Sequence, residues 1–206
     1  MSEGMYLDHL AVTAESLEEG AAWAEAALGV ALVPGGTHAA MGTHNRLLRL
    51  GDVYLEVIAI DPAAAAPGRP RWFAMDRFRG PPRLTNWILR CDDLAAELAQ
   101  GPAGLGAPLA FTRGDLAWQM AVPANGMLPF GGLFPALIQW QGAAHPVARL
   151  PESGCRLVRL RLSHPDAPAL AAALAGRLTE PRLEIVPGSP GLAAEIATPS
   201  GLRVLA

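Results

Sequence analysis

The stretch Tyr6-Leu7-Asp8-His9-Leu10-Ala11-Val12, followed by Ser16-Leu17-Glu18-Glu19 and closed at Leu28-Gly29, decides how the rest of the chain is read. Its first seven residues are apolar and alternating enough for a strand. Ser16 with Glu19 three positions on has the form of a capping box, and Leu17, Ala21, Ala24 and Leu28 keep helical spacing. Gly29 supplies the C-terminal stop. Beyond it the chain offers a short segment, Val30 to Val33, then Arg46 to Leu50 and Val53 to Ile60, joined by Gly51-Asp52 in hairpin fashion. The order is strand, helix, three strands.

The same order recurs from Leu84. Leu84 to Leu89 reads as a strand, Asp93 caps a helix through Leu98, and strand-like pieces follow at Leu109 to Thr112, Ala117 to Val122 and Phe134 to Trp140. The two starts align without a gap, setting His9 on Asn86 and Ser16 on Asp93. A shortened third copy begins at Arg156, with Asp166 before a helix from Ala167 to Ala175 and strands at Leu183 to Val186, Ala193 to Thr198 and Leu202 to Leu205. These boundaries divide the chain into a first module (1–62), a linker or lid (63–83), a second module (84–150) and the truncated third (151–206).

Composition sets the outer limits. The chain has 206 residues, 51% hydrophobic and 17% charged, with a formal charge of −3. All 16 basic residues are arginine, so Schiff-base, P-loop and general-base lysines are excluded. Nothing suggests nucleic acid as a partner. No apolar run approaches a membrane span and no leader is evident, so a cytoplasmic monomer or homodimer is expected. Cys91 and Cys155 have neither paired spacing nor an activating cation. No Gly-x-Ser-x-Gly occurs, and Gly101 to Gly106 follows a helix, the wrong context for a dinucleotide loop.

The tandem strand–helix–three-strand order resembles the vicinal oxygen chelate superfamily, which includes glyoxalase I, extradiol dioxygenases and bleomycin-resistance proteins. More narrowly, Gly42-Thr43-His44-Asn45, Tyr54-Leu55-Glu56, Pro135 to Trp140 and His145-Pro146 are similar to glyoxalase-like proteins. The resemblance implies an α+β fold in which tandem βαβββ modules form cup-shaped mixed sheets around a cavity, with a truncated βαβ-type third copy at the C-terminus. It also implies that functional side chains come from the first and fourth strands of each module: His9, Glu56, Asn86 and Gln139.

Two functions stay open on this reading. One is a lyase or isomerase acting on a small, mostly apolar oxygenated molecule, with His9 and Glu56 as base or ligand. Asn86, Gln139, Thr43, Asn45, Tyr54, Phe130 and Phe134 would then bind substrate. The other is a non-catalytic protein that sequesters a small molecule. A divalent metal would have His9 and Glu56 but only the amides of Asn86 and Gln139 in the second module, a poor donor set; His44 is a further candidate. A hydrogen-bonded polar layer without chemistry fits the same four residues. Trp118 and Trp140 are expected in the core or a dimer contact, Arg159 and Glu195 as an ion pair. Any ligand anion is expected to meet Arg46, Arg49 or an arginine of Arg69 to Arg79.

Overall fold

A computed structural model of the protein describes residues 4–206. The first module comprises β1 (Tyr6–Thr13), α1 (Leu17–Leu28), β2 (Val33–His38), β3 (Thr43–Leu50) and β4 (Val53–Ile60). The second comprises β5 (Arg83–Arg90), α2 (Leu94–Gln100), β6 (Ala107–Arg113), β7 (Leu116–Val122) and β8 (Ala136–Gln141). Their strands form one eight-stranded sheet in the order β2-β3-β4-β1-β5-β8-β7-β6. Each module pairs its first strand parallel with its last, and β1 joins β5 antiparallel at the centre. The two halves are thus the same unit, related by a pseudo-twofold relation.

Local signals act where the sequence places them. Ser16 Oγ accepts the Glu19 N–H at 3.2 Å, and Gly29 ends α1 in the left-handed region at φ 69°. Asp93 Oδ1 accepts the Ala96 N–H at 2.9 Å to start α2. Strand β2 lies later than the expected Val30 to Val33. It contains Pro34, Gly35 and Gly36, which suit an edge strand with a register shift rather than a central one. The sheet curls until its two edges approach: a Cβ on Gly36 would stand 2.7 Å from Cδ of Arg113 on β6. Glycine there lets the arginine cross from one edge to the other.

The third unit comprises β9 (Arg156–His164), α3 (Ala167–Leu174), β10 (Leu183–Pro187), β11 (Gly191–Thr198) and β12 (Gly201–Leu205). It opens as a βαβ unit, with β9 parallel to β10, and then departs from the other modules by placing the β11–β12 hairpin on the far side of β9. Asp166 stands at the helix start without a side-chain cap bond. Arg159 and Glu195 face each other in register, with Nη1 and Oε1 3.8 Å apart. Arg177, just past α3, anchors this unit by donating to Glu97 of α2 from Nε (3.0 Å) and Nη2 (2.5 Å). One continuous apolar core runs through all three units. Among the described residues, no helix is long and apolar enough to cross a membrane.

Candidate active site

The concave face of the curled eight-stranded sheet holds a narrow cleft of about 30 Å³, lined by residues of both modules. His9 of β1 and Glu56 of β4 meet there, with Nε2 and Oε2 3.6 Å apart. They come from neighbouring parallel strands, in which Tyr54 pairs with His9 and Glu56 with Ala11. The Tyr54 ring stacks on the imidazole at 4.4 Å and 13°. Trp72, Trp118 and Trp140 complete an aromatic wall.

Asp8 joins the site through a break in alternation. Strict period two would turn it away from His9, toward the helix side of β1. The β1–β5 register shifts between Leu7 and His9, and such a bulge brings consecutive side chains to one side. Asp8 is fully buried; Oδ1 accepts from His9 Nδ1 at 2.5 Å, and Oδ2 accepts from Trp140 Nε1 (3.0 Å) and His145 Nε2 (2.8 Å).

The second half of the network comes from β2, β3 and β6. Asn45 donates from Nδ2 to Glu56 Oε1 at 2.5 Å, while its Oδ1 accepts the Gly36 N–H at 2.8 Å. Arg113 Nη1 lies 3.3 Å from His38 Nε2. A guanidinium only donates, so His38 Nε2 must carry the lone pair and Nδ1–H donates to Thr43 Oγ1 at 3.0 Å. His38 is therefore neutral, held in one tautomer.

Charge follows from these contacts. Burial alone would lower the pKa of His9, but the hydrogen bonds to Asp8 and then Glu56 raise it to about 9. Burial would raise that of Glu56, but His9, His38 and Asn45 bring it down to about 2. Asp8, likewise buried, is held below the usual carboxylate range by His145 and His9. His38 drops to about 4, mainly by burial, with Arg113 adding to the effect against Glu56. At neutral pH the cleft thus holds two carboxylates, one imidazolium and one guanidinium.

The four matched positions do not converge. Gln139 points to the opposite side of β8, where Oε1 accepts the Leu94 N–H at 3.0 Å and Nε2 donates to Asp92 O at 2.7 Å, capping α2. Its neighbours Ile138 and Trp140 line the cleft instead. Strand β8 begins buried on both faces, so its apolar pattern sets no phase, and a one-residue slip reverses every side chain. Asn86 faces a second cavity and donates to Gly132 O at 3.3 Å. Phe130 and Phe134 stack on each other at 6.0 Å behind that cavity's wall and line neither space. His44 lies on the opposite face of β3 from Asn45, its Nε2 buried without a partner among the described residues. Thr43 acts through His38.

Trp118 lies in the buried core and Trp140 packs against it, as expected, and both also line the cleft. The linker supplies Trp72 and Phe73 to the cleft wall, with Trp72 also buried in the core. His38 and Arg113 carry no motif that marks them, and Asp8 and His145, though within stretches quoted above, had no role assigned. Cys91, by contrast, is buried and its thiol is pushed up to about 12, which keeps it inert.

The donor set does not suit a divalent metal. Of the four matched positions only His9 and Glu56 face the cleft, and β8 presents Ile138 and Trp140 where further ligands would be needed. Among the described residues, no group of three or more His, Cys, Asp or Glu side chains is arranged to hold an ion.

Paired βαβββ modules, with functional side chains on the first and fourth strands, define the vicinal oxygen chelate class. A model of the glyoxalase-like domain matches residues 7–178, and the chain belongs to that family. Among solved structures, a hypothetical protein from Staphylococcus aureus is similar over 90% of this chain and 87% of its own, at 14% identity and a TM-score of 0.63. Methylmalonyl-CoA epimerase from Mycobacterium tuberculosis matches 67% of this chain and 88% of its own at 19% identity and a TM-score of 0.43. The Streptomyces coelicolor epimerase matches 68% and 99%, at 14% identity and a TM-score of 0.43. None of the curated proteins matches the sequence.

Proposed function

We propose that the chain is an enzyme of the isomerase or lyase kind that moves a proton next to a carbonyl group in a small, mostly apolar substrate, without a metal. The observation that carries this reading is the buried, oppositely charged His9–Glu56 pair lining a narrow cleft between aromatic walls. Glu56 takes the proton from the carbon beside the carbonyl, and the electron pair moves to the carbonyl oxygen. The His9 Nε2–H donates to that oxygen and stabilises the charge that develops there.

The low pKa of Glu56 fits the resting state only. Once a substrate oxygen takes the His9 Nε2–H, Glu56 loses that hydrogen bond and its basicity rises. Asp8 keeps the imidazole in place and protonated, with its own position fixed by Trp140 and His145. Arg113 is the cation available to a carboxylate on the substrate; Arg49 and Arg71 are engaged with Glu152 and Asp76. Returning the proton to the same carbon or a neighbouring one gives isomerisation, and expulsion of a group from the adjacent carbon gives lyase chemistry.

The test is solvent deuterium exchange. Small 2-oxo acids, aldehydes and ketones are incubated with the protein in D2O, and loss of the proton signal beside the carbonyl is followed by NMR. The reading predicts enzyme-dependent exchange that falls by about 100-fold or more in Glu56→Gln and in His9→Gln. Compounds that quench the cleft tryptophans without exchanging would contradict it and make the protein a sequestering module.

A further inference from the structure

A second, larger cavity of about 500 Å³ lies between the linker, β5, the 127–133 loop and the start of β11. Its walls are greasy, with Phe78, Leu84, Leu128, Leu133 and Leu192 among them. Two exposed guanidiniums, Arg77 and Arg83, also line it. Neither forms an ion pair among the described residues. Asp76, the acid next to Arg77, is committed to Arg71 through its backbone N–H at 2.7 Å and Nη1 at 2.5 Å. Arg83 stacks over Phe78 at 4.2 Å and donates only to the backbone oxygens of Arg79 and Pro81. At the base, Asn86 is buried and spends one N–H on Gly132 O, while its carbonyl oxygen makes no hydrogen bond with a described residue.

We propose that this cavity binds an organic anion with an apolar body. The anionic head lies between Arg77 and Arg83, and the hydrocarbon lies against Leu84, Leu133 and Leu192. Unpaired guanidiniums at the rim of an apolar chamber recognise a carboxylate or phosphate by charge-assisted hydrogen bonds, while the walls reward the hydrocarbon by burial. Nothing in this depends on proton transfer by Glu56.

Phe73 gives the site its relation to the active cleft, because it lines both cavities. Phe73 and Ala74 both hold left-handed backbone, at φ 58° and 52°, a conformation uncommon for side chains with a Cβ.

The probes are octanoate, octyl phosphate and 1-octanol, titrated calorimetrically into the intact protein. Octanoate and octyl phosphate should bind saturably, and octanol about tenfold more weakly or worse. The Arg77→Gln/Arg83→Gln double variant, changed only at exposed positions, should reduce both anions to the octanol level and leave octanol unchanged. Leu192→Trp should abolish binding of all three. Methyl shifts of Leu84, Leu133 and Leu192 in the unaltered protein should move with octanoate, which locates the ligand without any substitution. The tighter of the two anions identifies carboxylate or phosphate as the natural head group. Glu56→Gln should bind octanoate as the unaltered protein does. Octanol binding as tightly as octanoate, octanoate binding indifferent to the arginines, unmoved methyl signals, or no saturable binding would each overturn the proposal.

Discussion

Replacing Glu56 by Gln removes the negative charge that faces His9 and should reshape the dependence of stability on pH. The magnitude follows from the two buried histidines. His9 titrates at about 9 when folded against 6.5 in a free chain, so its contribution is fully present below pH 6.5 and is lost as pH rises through 9. That displacement corresponds to about 3 kcal/mol. His38 runs the other way: folded, it titrates at about 4 instead of 6.5, so stability falls by a similar amount, about 3 kcal/mol, as pH drops from 6.5 to 4. Asp8 and Glu56 change protonation only below this window, and Cys91 and Tyr54 only above it. Between pH 5 and 9 the curve should therefore peak near 6.5 and descend on both sides. Urea denaturation at half-unit intervals measures it. In Glu56→Gln the alkaline descent should shrink and be complete at lower pH, because His9 retains Asp8 alone, whereas the acid limb should persist. An unchanged alkaline limb in the variant, or a flat curve in the unaltered protein, would refute the reasoning.

Three further substitutions test the architecture. Gly36→Val places a side chain against the Arg113 stem and should cost about 1–3 kcal/mol in urea denaturation, while the His38 titration followed by NMR moves upward as Arg113 is displaced. Glu97→Ala strands the partly buried Arg177 and should cost about 3 kcal/mol, with hydrogen exchange speeding first in α3 and the chain after it. Gln139→Leu should cost about 1–2 kcal/mol by uncapping α2 but leave His9 and Glu56 titrating as before, because the amide faces away from the cleft.

The paired modules were legible because helix caps are local. Ser16 with Glu19, Asp93 and Gly29 act where the sequence places them, and they bracket strands whose order alone implies the cup. His9 and Glu56 were legible because their strands have a phase that the resemblance could fix. The phase of β8 was not: Ala136 to Ile138 are buried on both faces, so nothing in the pattern distinguishes Gln139 from its neighbours. Asp8 was hidden by a bulge, which sequence alternation cannot show. His38 and Arg113 reach the site from the two edges of the sheet, 75 residues apart in the chain, and only the curl of the sheet brings them together. The glycines of β2 were the available signal, since Gly35-Gly36 inside a strand marks a close approach. The linker packs Trp72 and Met75 into the core, and only the structure shows that Trp72 and Phe73 also form part of the cleft wall.

The central claim is that His9 is an imidazolium held between Asp8 and Glu56 inside a cleft, ready to donate to a substrate oxygen. Side-chain nitrogen NMR of His9, followed from pH 6 to 10, measures this directly. The account predicts two protonated ring nitrogens at pH 7 and a midpoint near 9. A ring that is neutral at pH 7, or that titrates at or below 6.5, would contradict it.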